Sequence, residues 1–263
     1  MAYSIAYFYT SNTGKCRKMN QDNFFCDGHS LYYENDGTDG ICTGKIPVEK
    51  NPVFCVFDGM GGEECGEIAA YLATEQIKQH SFAAGMETGF REFCADANRS
   101  ICERTRQEGI TSMGTTAAML RFTKTEYGLC NIGDSKIFVL SDGLLTQLSY
   151  DHVGLAPFGR KPPLLQNLGI PEDELQIDPY VALGDYREDD IYLICSDGVT
   201  DMVSEDRIQQ ILAENPGEQA AQLLLDEALD NGGRDNITFI LLYVTKKERK
   251  RFWKEVRLWR KRK

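Results

Sequence analysis

The chain has 263 residues, 40 of them acidic and 29 basic, for a formal net charge of −11. With 42% hydrophobic and 26% charged residues it falls outside the disordered and fibrous classes, and its length suits one large domain or two small ones. No apolar run approaches the ~18 residues of a membrane-spanning helix, and Met1-Ala2-Tyr3-Ser4 lacks the basic and apolar regions of a secretory signal. Nine cysteines, an odd number without a Cys-x-x-Cys pair, argue against a disulfide framework or a zinc site. Cys55, Cys130 and Cys195 lie inside apolar runs, where a reduced thiol packs as a small hydrophobe. The expectation is a protein of a reducing compartment, the cytoplasm.

The charge is unevenly spread. Residues 246–263 hold 11 Lys/Arg and two Glu, a net of +9, which leaves 18 basic and 38 acidic residues in 1–245, a net of −20. A body so acidic offers no generic basic surface to nucleic acid. It suits a cation binder, and solubility accounts for it equally well.

In chain order, alternation over Ala2–Tyr9 and the run Asn23–Cys26 predict two strands, and the Gly- and Pro-rich residues 34–52 a loop or irregular hairpin. Val53–Phe57 is a short apolar strand that stops at Asp58-Gly59. Two helices are predicted over Glu63–His80 and Glu87–Glu108, then strands over Thr115–Phe122, Tyr127–Ile132 and Lys136–Leu140. Gly154–Pro171 reads as a surface segment, and Ile191–Cys195 as an apolar strand ending at Ser196-Asp197-Gly198. Helices over Glu205–Glu214 and Glu218–Asp230 and a last strand, Ile237–Val244, complete one domain, 1–245, ahead of a tail, 246–263. The order ββ-αα-βββ-β-αα-β points to an α+β fold with layered sheets and outer helices rather than a βαβ array.

Asp-Gly occurs six times, and most instances are turns, as in Ser141-Asp142-Gly143-Leu144. Asp58 and Asp197 differ because each directly ends a buried-looking strand, and Asp235 opens the last one in the same way. A carboxylate in such a place must be solvated, paired or metal-bound, since an isolated buried charge is costly. For each alone, a cap or turn is as good a reading; three on three core strands favour a shared oxygen site for Mg²⁺ or Mn²⁺.

The segments Arg17-Lys18-Met19-Asn20-Gln21-Asp22, Val56-Phe57-Asp58-Gly59-Met60-Gly61-Gly62, Gly114-Thr115-Thr116, Gly133-Asp134-Ser135, Asp151-His152, Ser196-Asp197-Gly198-Val199-Thr200-Asp201 and Arg234-Asp235-Asn236 follow one another in one order. That order resembles the metal-dependent protein phosphatases (PPM family, type 2C), in a bacterial-like form, over residues 1–244. The resemblance implies a β-sandwich of two antiparallel sheets flanked by helix pairs, and hydrolysis of phosphoserine and phosphothreonine by a water activated between two metals. It makes Asp58 the bridging ligand, with the Gly59 carbonyl on the second metal and Asp197 and Asp235 completing the shell of the first. Asp22 and Asp134 match positions tied to the second metal's water network and a weaker third metal site, which Asp201 would also serve. Arg17 matches the arginine that clamps substrate phosphate. The ions implied are Mn²⁺ or Mg²⁺, and the partners are phosphorylated proteins, targets of a cognate Ser/Thr kinase.

Departures from the family pattern are local. Met60 stands where many eukaryotic members carry histidine, Gln21 replaces a glutamate, and the variable segment at Gly154–Leu168 is short. His152 reads better as a structural hydrogen-bonder than as an acid, and Cys195 as core rather than nucleophile. Two rival readings are a catalytically silent phosphatase-like binding module, whose signature would be a missing metal aspartate, and a small-molecule phosphatase with the same site. In the tail, Phe252, Val256 and Trp259 share one helical face among Lys and Arg. This pattern fits an anionic bilayer at the inner membrane surface, a protein partner or the acidic body, or a solvated extension.

Overall fold

The computed structural model describes residues 3–60, 65–156 and 161–246. Outside them lie Gly61-Gly62 of the Asp58 motif, the expected helix start at Glu63, the middle of the Gly154–Leu168 segment and the tail beyond Lys246. Thirteen strands and five helices run in the order β1 (Tyr3–Asn12), β2 (Asn23–Cys26), β3 (Cys42–Pro47), β4 (Val53–Phe57), β5 (Gly59–Met60), α1 (Gly66–Gln79), α2 (Met86–Glu108), β6 (Gly114–Thr115), β7 (Ala117–Phe122), β8 (Tyr127–Ile132), β9 (Lys136–Ser141), β10 (Leu144–Gln147), β11 (Tyr180–Gly184), β12 (Ile191–Cys195), α3 (Asp197–Thr200), α4 (Glu205–Glu214), α5 (Gly217–Asp230) and β13 (Ile237–Lys246).

Two antiparallel sheets form the sandwich, one ordered β10-β9-β12-β13-β1-β3 and the other β11-β8-β7-β4-β2. The central strands are largely apolar because both of their faces are covered, and the two-residue period decides which layer each side chain enters. In β13, Ile240, Leu242 and Val244 point into the space between the sheets, while Ile237, Phe239 and Leu241 pack under α4 and α5 with Ile208, Ile211, Leu212 and Leu224. In β4, Phe54 and Val56 face the inner layer, and Cys55 and Phe57 meet Ala69, Ala73, Phe90, Phe93 and Ala97 of α1 and α2. Four layers result, helices–sheet–sheet–helices, as the resemblance implied.

Several elements depart from the sequence reading. Residues 42–47, within the expected loop or irregular hairpin, form β3 and pair with Ser4–Tyr9 of β1. β11 was not anticipated; it pairs residue by residue with β8 from Tyr180↔Asn131 to Gly184↔Tyr127. The expected strand 115–122 is two strands, because Thr116 leaves the ladder to bond Asp58. β13 runs on to Lys246, which pairs with Tyr3 and with the Glu188 carboxylate, so the body extends one residue past 245.

The topology gathers strand ends at one edge of the sandwich. Asn12 pairs with Ile237, Asn23 with Phe57, Val56 with Ala118, Ala117 with Ile132, and Lys136 with Cys195. The residues just beyond those pairs are Asp22, Asp58, Thr116, Asp134, Ser196-Asp197 and Asp235. Antiparallel register alone therefore brings together carboxylates up to 213 positions apart in sequence.

Candidate active site

Neutral hydrogen bonds fix the backbone beneath the carboxylates. The Asp58 N–H donates to Thr116 Oγ1 (3.0 Å), and the Asp58 carbonyl accepts from the Thr116 N–H (2.9 Å) and from Thr115 Oγ1 (2.9 Å). Thr116 Oγ1 in turn shares a 2.7 Å hydrogen bond with Ser135 Oγ, which ties the Asp58 turn to the Asp134 turn. Asn236 joins the loop after β1 to the start of β13: its Oδ1 accepts the Gln21 N–H (2.8 Å), and its Nδ2 donates to the carbonyls of Thr13 and Met19 (2.9 and 3.0 Å). Gly59 must be glycine, because a Cβ there would stand 2.3 Å from the carbonyl oxygens of both Gln21 and Gly66. Gln21, in the place of the family glutamate, donates from Nε2 to Glu67 Oε2 at 3.0 Å.

The carboxylates carry unequal compensation. Asp22 is 2% exposed and accepts from Ser196 Oγ at 2.8 Å. Burial pushes its pKa up to about 7; the hydroxyls of Ser196 and Thr238 oppose this, and the charges of Asp197 and Asp235 add to it. Asp235 receives the Asn236 N–H on Oδ1 (2.9 Å) and the Arg17 guanidinium on Oδ2 (2.6 Å). Asp197 is paired with the Lys161 ammonium, which also lies 3.4 Å from Asp201 Oδ2 and 3.7 Å from Asp134 Oδ2. Burial raises the pKa of Asp134 and of Asp201, in both cases with a further push from Asp197 and relief from Lys161.

Asp58 has no direct partner of this kind; the Arg17 guanidinium, bonded to Asp235, feels its charge from a distance. Among the described residues its carboxylate makes no hydrogen bond and no ion pair. Burial, followed by the charges of Asp197, Asp22, Asp134 and Asp235, holds its pKa well above the ordinary carboxylate range.

Each residue singled out in the sequence thus reaches the same edge of the fold. Asp22, Asp58, Gly59, Asp134, Asp197, Asp201, Asp235 and Arg17 all border it; Thr116, Ser135 and Ser196 lie within the quoted motifs without an assigned role, and Lys161 lies in none of them. Arg17 is engaged by Asp235, with half of its side chain exposed. His152 Nδ1 accepts the Gly133 N–H at 3.2 Å and burial lowers its pKa, so the neutral ring acts as an acceptor that fixes the Asp134 turn. Cys195 is fully buried and its thiol is pushed up to about 12, chiefly by burial, which removes it as a nucleophile.

Among the described residues no three His, Cys, Asp or Glu side chains close on one point as a finished metal shell. The donors are instead carboxylates around a shared space, with Asp58 free of a direct ion pair among the described residues and Arg17 and Lys161 as the cations beside them. This all-oxygen, under-neutralised set fits hard divalent cations that keep part of their water.

Comparison with known proteins gives the same picture. The Listeria monocytogenes protein named serine/threonine phosphatase stp is 28% identical over 242 residues, covering 83% of this chain and 94% of the relative. The solved structure of the Mycobacterium tuberculosis serine/threonine phosphatase PstP/Ppp superposes with a TM-score of 0.75 at 23% identity, over 92% of this chain and 100% of that one. The catalytic domain of PstP in complex with two manganese ions gives 0.72 at 25% identity, with 92% and 100% coverage. The sequence model described as Protein phosphatase 2C matches residues 44–229, most of the body, and within that match lie Asp58, Gly59, Asp134, Asp197 and Asp201. The chain belongs to the protein phosphatase 2C family.

Proposed function

We propose that the chain is a metal-dependent serine/threonine protein phosphatase in which Asp58, Asp197, Asp235 and the Gly59 carbonyl hold two Mn²⁺ or Mg²⁺ ions. Asp22, Asp134 and Asp201 serve their water network and a weaker third ion. The observation that carries this reading is the Asp58 carboxylate, without a direct ion pair among the described residues, facing four other acidic side chains that Arg17 and Lys161 neutralise only in part. When bound, the ions supply positive charge to the phosphoryl oxygens and acidify a water at neutral pH.

The remaining roles belong to the chain. Arg17 offers a planar guanidinium to a phosphate dianion while Asp235 fixes one of its arms. Thr115, Thr116 and Ser135 keep the Asp58 turn in place as charge changes around it. Burial pushes the Asp22 pKa up to about 7, and a bound cation would favour its ionised form. No side chain acts as nucleophile, and with Met60 in the histidine position the departing hydroxyl takes its proton from solvent.

A protein substrate is the reading carried over from the relatives named serine/threonine phosphatases. Next to the site, a cleft of about 1090 Å³ begins at Met60 and Gly114 and runs between α2 and residues 169–174. The partners are then phosphorylated proteins, targets of a cognate Ser/Thr kinase. The basic tail adds either an anionic membrane surface or a protein partner. Among the described residues no helix is long and apolar enough to cross a membrane.

The deciding experiment compares a phosphothreonine peptide with nucleotide and sugar phosphates, with Mn²⁺, with Mg²⁺ and in EDTA. Metal-dependent hydrolysis of the peptide is expected, with none in EDTA and none by Asp58→Ala. Turnover in EDTA, or by the Asp58→Ala protein, overturns the reading.

A further inference from the structure

One residue of the site belongs to none of the motifs above. Lys161 comes from the Pro- and Gly-rich segment between β10 and β11, yet its ammonium sits among Asp134, Asp197 and Asp201. These three carboxylates come from two turns, the one after β8 and the one that opens and closes α3. Among the described residues, every ion pair that any of the three makes is to Lys161. The lysine fills the outer part of the carboxylate ring, on the Asp201 side, and leaves Asp58 untouched.

We propose that Lys161 is a built-in cation for the outer, third metal position: it neutralises Asp134, Asp197 and Asp201 when that position holds no metal, and a divalent ion must displace it to enter. The proposal rests on the metal-centre reading above. Two physical features make the lysine an exchangeable occupant. A single positive charge faces three carboxylates, so a divalent ion compensates them better at the same place. The Lys161 side chain is also 50% exposed on a long flexible stem, so it can leave for water without breaking packed structure. An occupied position weakens the apparent affinity of a competitor by the fraction of time it stands free. Lysine occupancy of about nine-tenths would therefore weaken outer-site metal binding about tenfold. Of the core ligands, Asp58 and Asp235 make no ion pair with the lysine, whereas Asp197 is shared with it, so the core ion on Asp197 would meet the competition at one carboxylate and the outer ion at Asp134 and Asp201 as well. The outer site becomes a weak one for a reason encoded in this chain's own sequence, the ammonium at position 161.

The test measures Mn²⁺ binding by calorimetry and by the electron paramagnetic resonance of free Mn²⁺, on the full chain and on Lys161→Met and Lys161→Arg. Methionine keeps most of the stem and removes the charge; arginine keeps the charge. Lys161→Met is expected to bind the weakest Mn²⁺ about tenfold more tightly, with a smaller gain at the core site that shares Asp197, and Lys161→Arg to follow the parent. In EDTA the Lys161→Met protein should melt a few degrees below the parent, because three carboxylates lose their counter-ion, and saturating Mn²⁺ should erase the difference. Superimposable Mn²⁺ isotherms for the parent and Lys161→Met, with the core sites filled in both, overturn the proposal and leave the metal centre standing. If no variant binds Mn²⁺ at all, the metal centre falls and the proposal falls with it.

Discussion

The acid cluster predicts an unusual stability profile for the metal-free protein. Asp22 is almost fully buried, and its pKa stands at about 7 in the fold against 3.8 for the free side chain. Between those values the folded state binds more protons than the unfolded chain, so the stability of the fold falls as pH rises, and the whole cost is present above pH 7. At about 1.4 kcal/mol per pH unit, the part of that window between pH 5 and pH 8 corresponds to about 3 kcal/mol from this one side chain. For a body of this size, that is a fall in Tm of about 6–12 °C. Asp58, whose pKa moves in the same direction for the same reason, adds to the slope. Most carboxylates in folded proteins contribute the opposite sign, because pairing lowers their pKa.

Thermal or urea unfolding in EDTA from pH 5 to pH 8 measures this directly, with Asp22→Asn as the comparison. Asparagine keeps an acceptor for the Ser196 hydroxyl and removes the charge. The parent should lose stability with rising pH, Asp22→Asn should lose about 3 kcal/mol less over the same range, and excess Mn²⁺ should flatten or invert the slope, since cation binding favours the ionised carboxylates. A metal-free parent equally stable at pH 5 and pH 8, or an Asp22→Asn protein with the parent's slope, would refute the argument.

Three further outcomes follow from the same geometry. Gly59→Ala places a methyl 2.3 Å from two backbone oxygens that cannot rotate away; the body should lose about 2 kcal/mol or more and melt about 4–8 °C lower, with metal binding impaired, and a Tm within a degree of the parent would contradict the packing argument. Arg17→Ala should raise KM for a phosphopeptide more than it lowers kcat, with Arg17→Lys a partial rescue because lysine lacks the planar fork; an unchanged KM would leave Arg17 as no more than a counter-ion of Asp235. A membrane role for the tail predicts that the full chain pellets with anionic vesicles and a chain ending at Lys246 does not, each Lys or Arg near the surface being worth about 1 kcal/mol; equal pelleting at about 0.1 M salt removes that role and leaves the protein partner.

Much of this site was legible because its chemistry interrupts strong local signals. Val-Phe-Cys-Val-Phe and Ile-Tyr-Leu-Ile-Cys are buried on both faces, so a carboxylate immediately after either is conspicuous in sequence, and Asp58 and Asp197 stood out on that ground alone. Elements held by long-range pairing left no such trace. β3 reads Cys-Thr-Gly-Lys-Ile-Pro and is a strand because it lies along β1, where Gly44 is open enough for the Tyr7 ring to rest against its backbone. β11 is a half-exposed edge strand whose only ladder is to β8, so it lacks the apolar run that betrays a central strand. Lys161 was invisible for another reason. A lysine in a polar surface segment is ordinary, and only the fold sets it beside Asp134 and Asp197.

The support beneath the acids is almost entirely neutral, and this explains how so much like charge can be held together. Asn20 Nδ2 donates to Ser11 Oγ at 2.8 Å, Ser11 Oγ shares a 2.8 Å bond with Thr238 Oγ1, and Ser196 Oγ donates to Asp22, while Thr116 and Ser135 bind each other under Asp58. Buried hydroxyl and amide networks of this kind fix backbone geometry and polarise one another without cancelling the charge they surround. The cations are correspondingly sparse: among the described residues, Arg17 and Lys161 are the only ones paired with Asp22, Asp58, Asp134, Asp197, Asp201 or Asp235. Had lysines or arginines supplied the support, the cluster would be more stable and would attract no metal. The chain instead accepts a less stable metal-free state, and the stability withheld from that state becomes affinity for the ions.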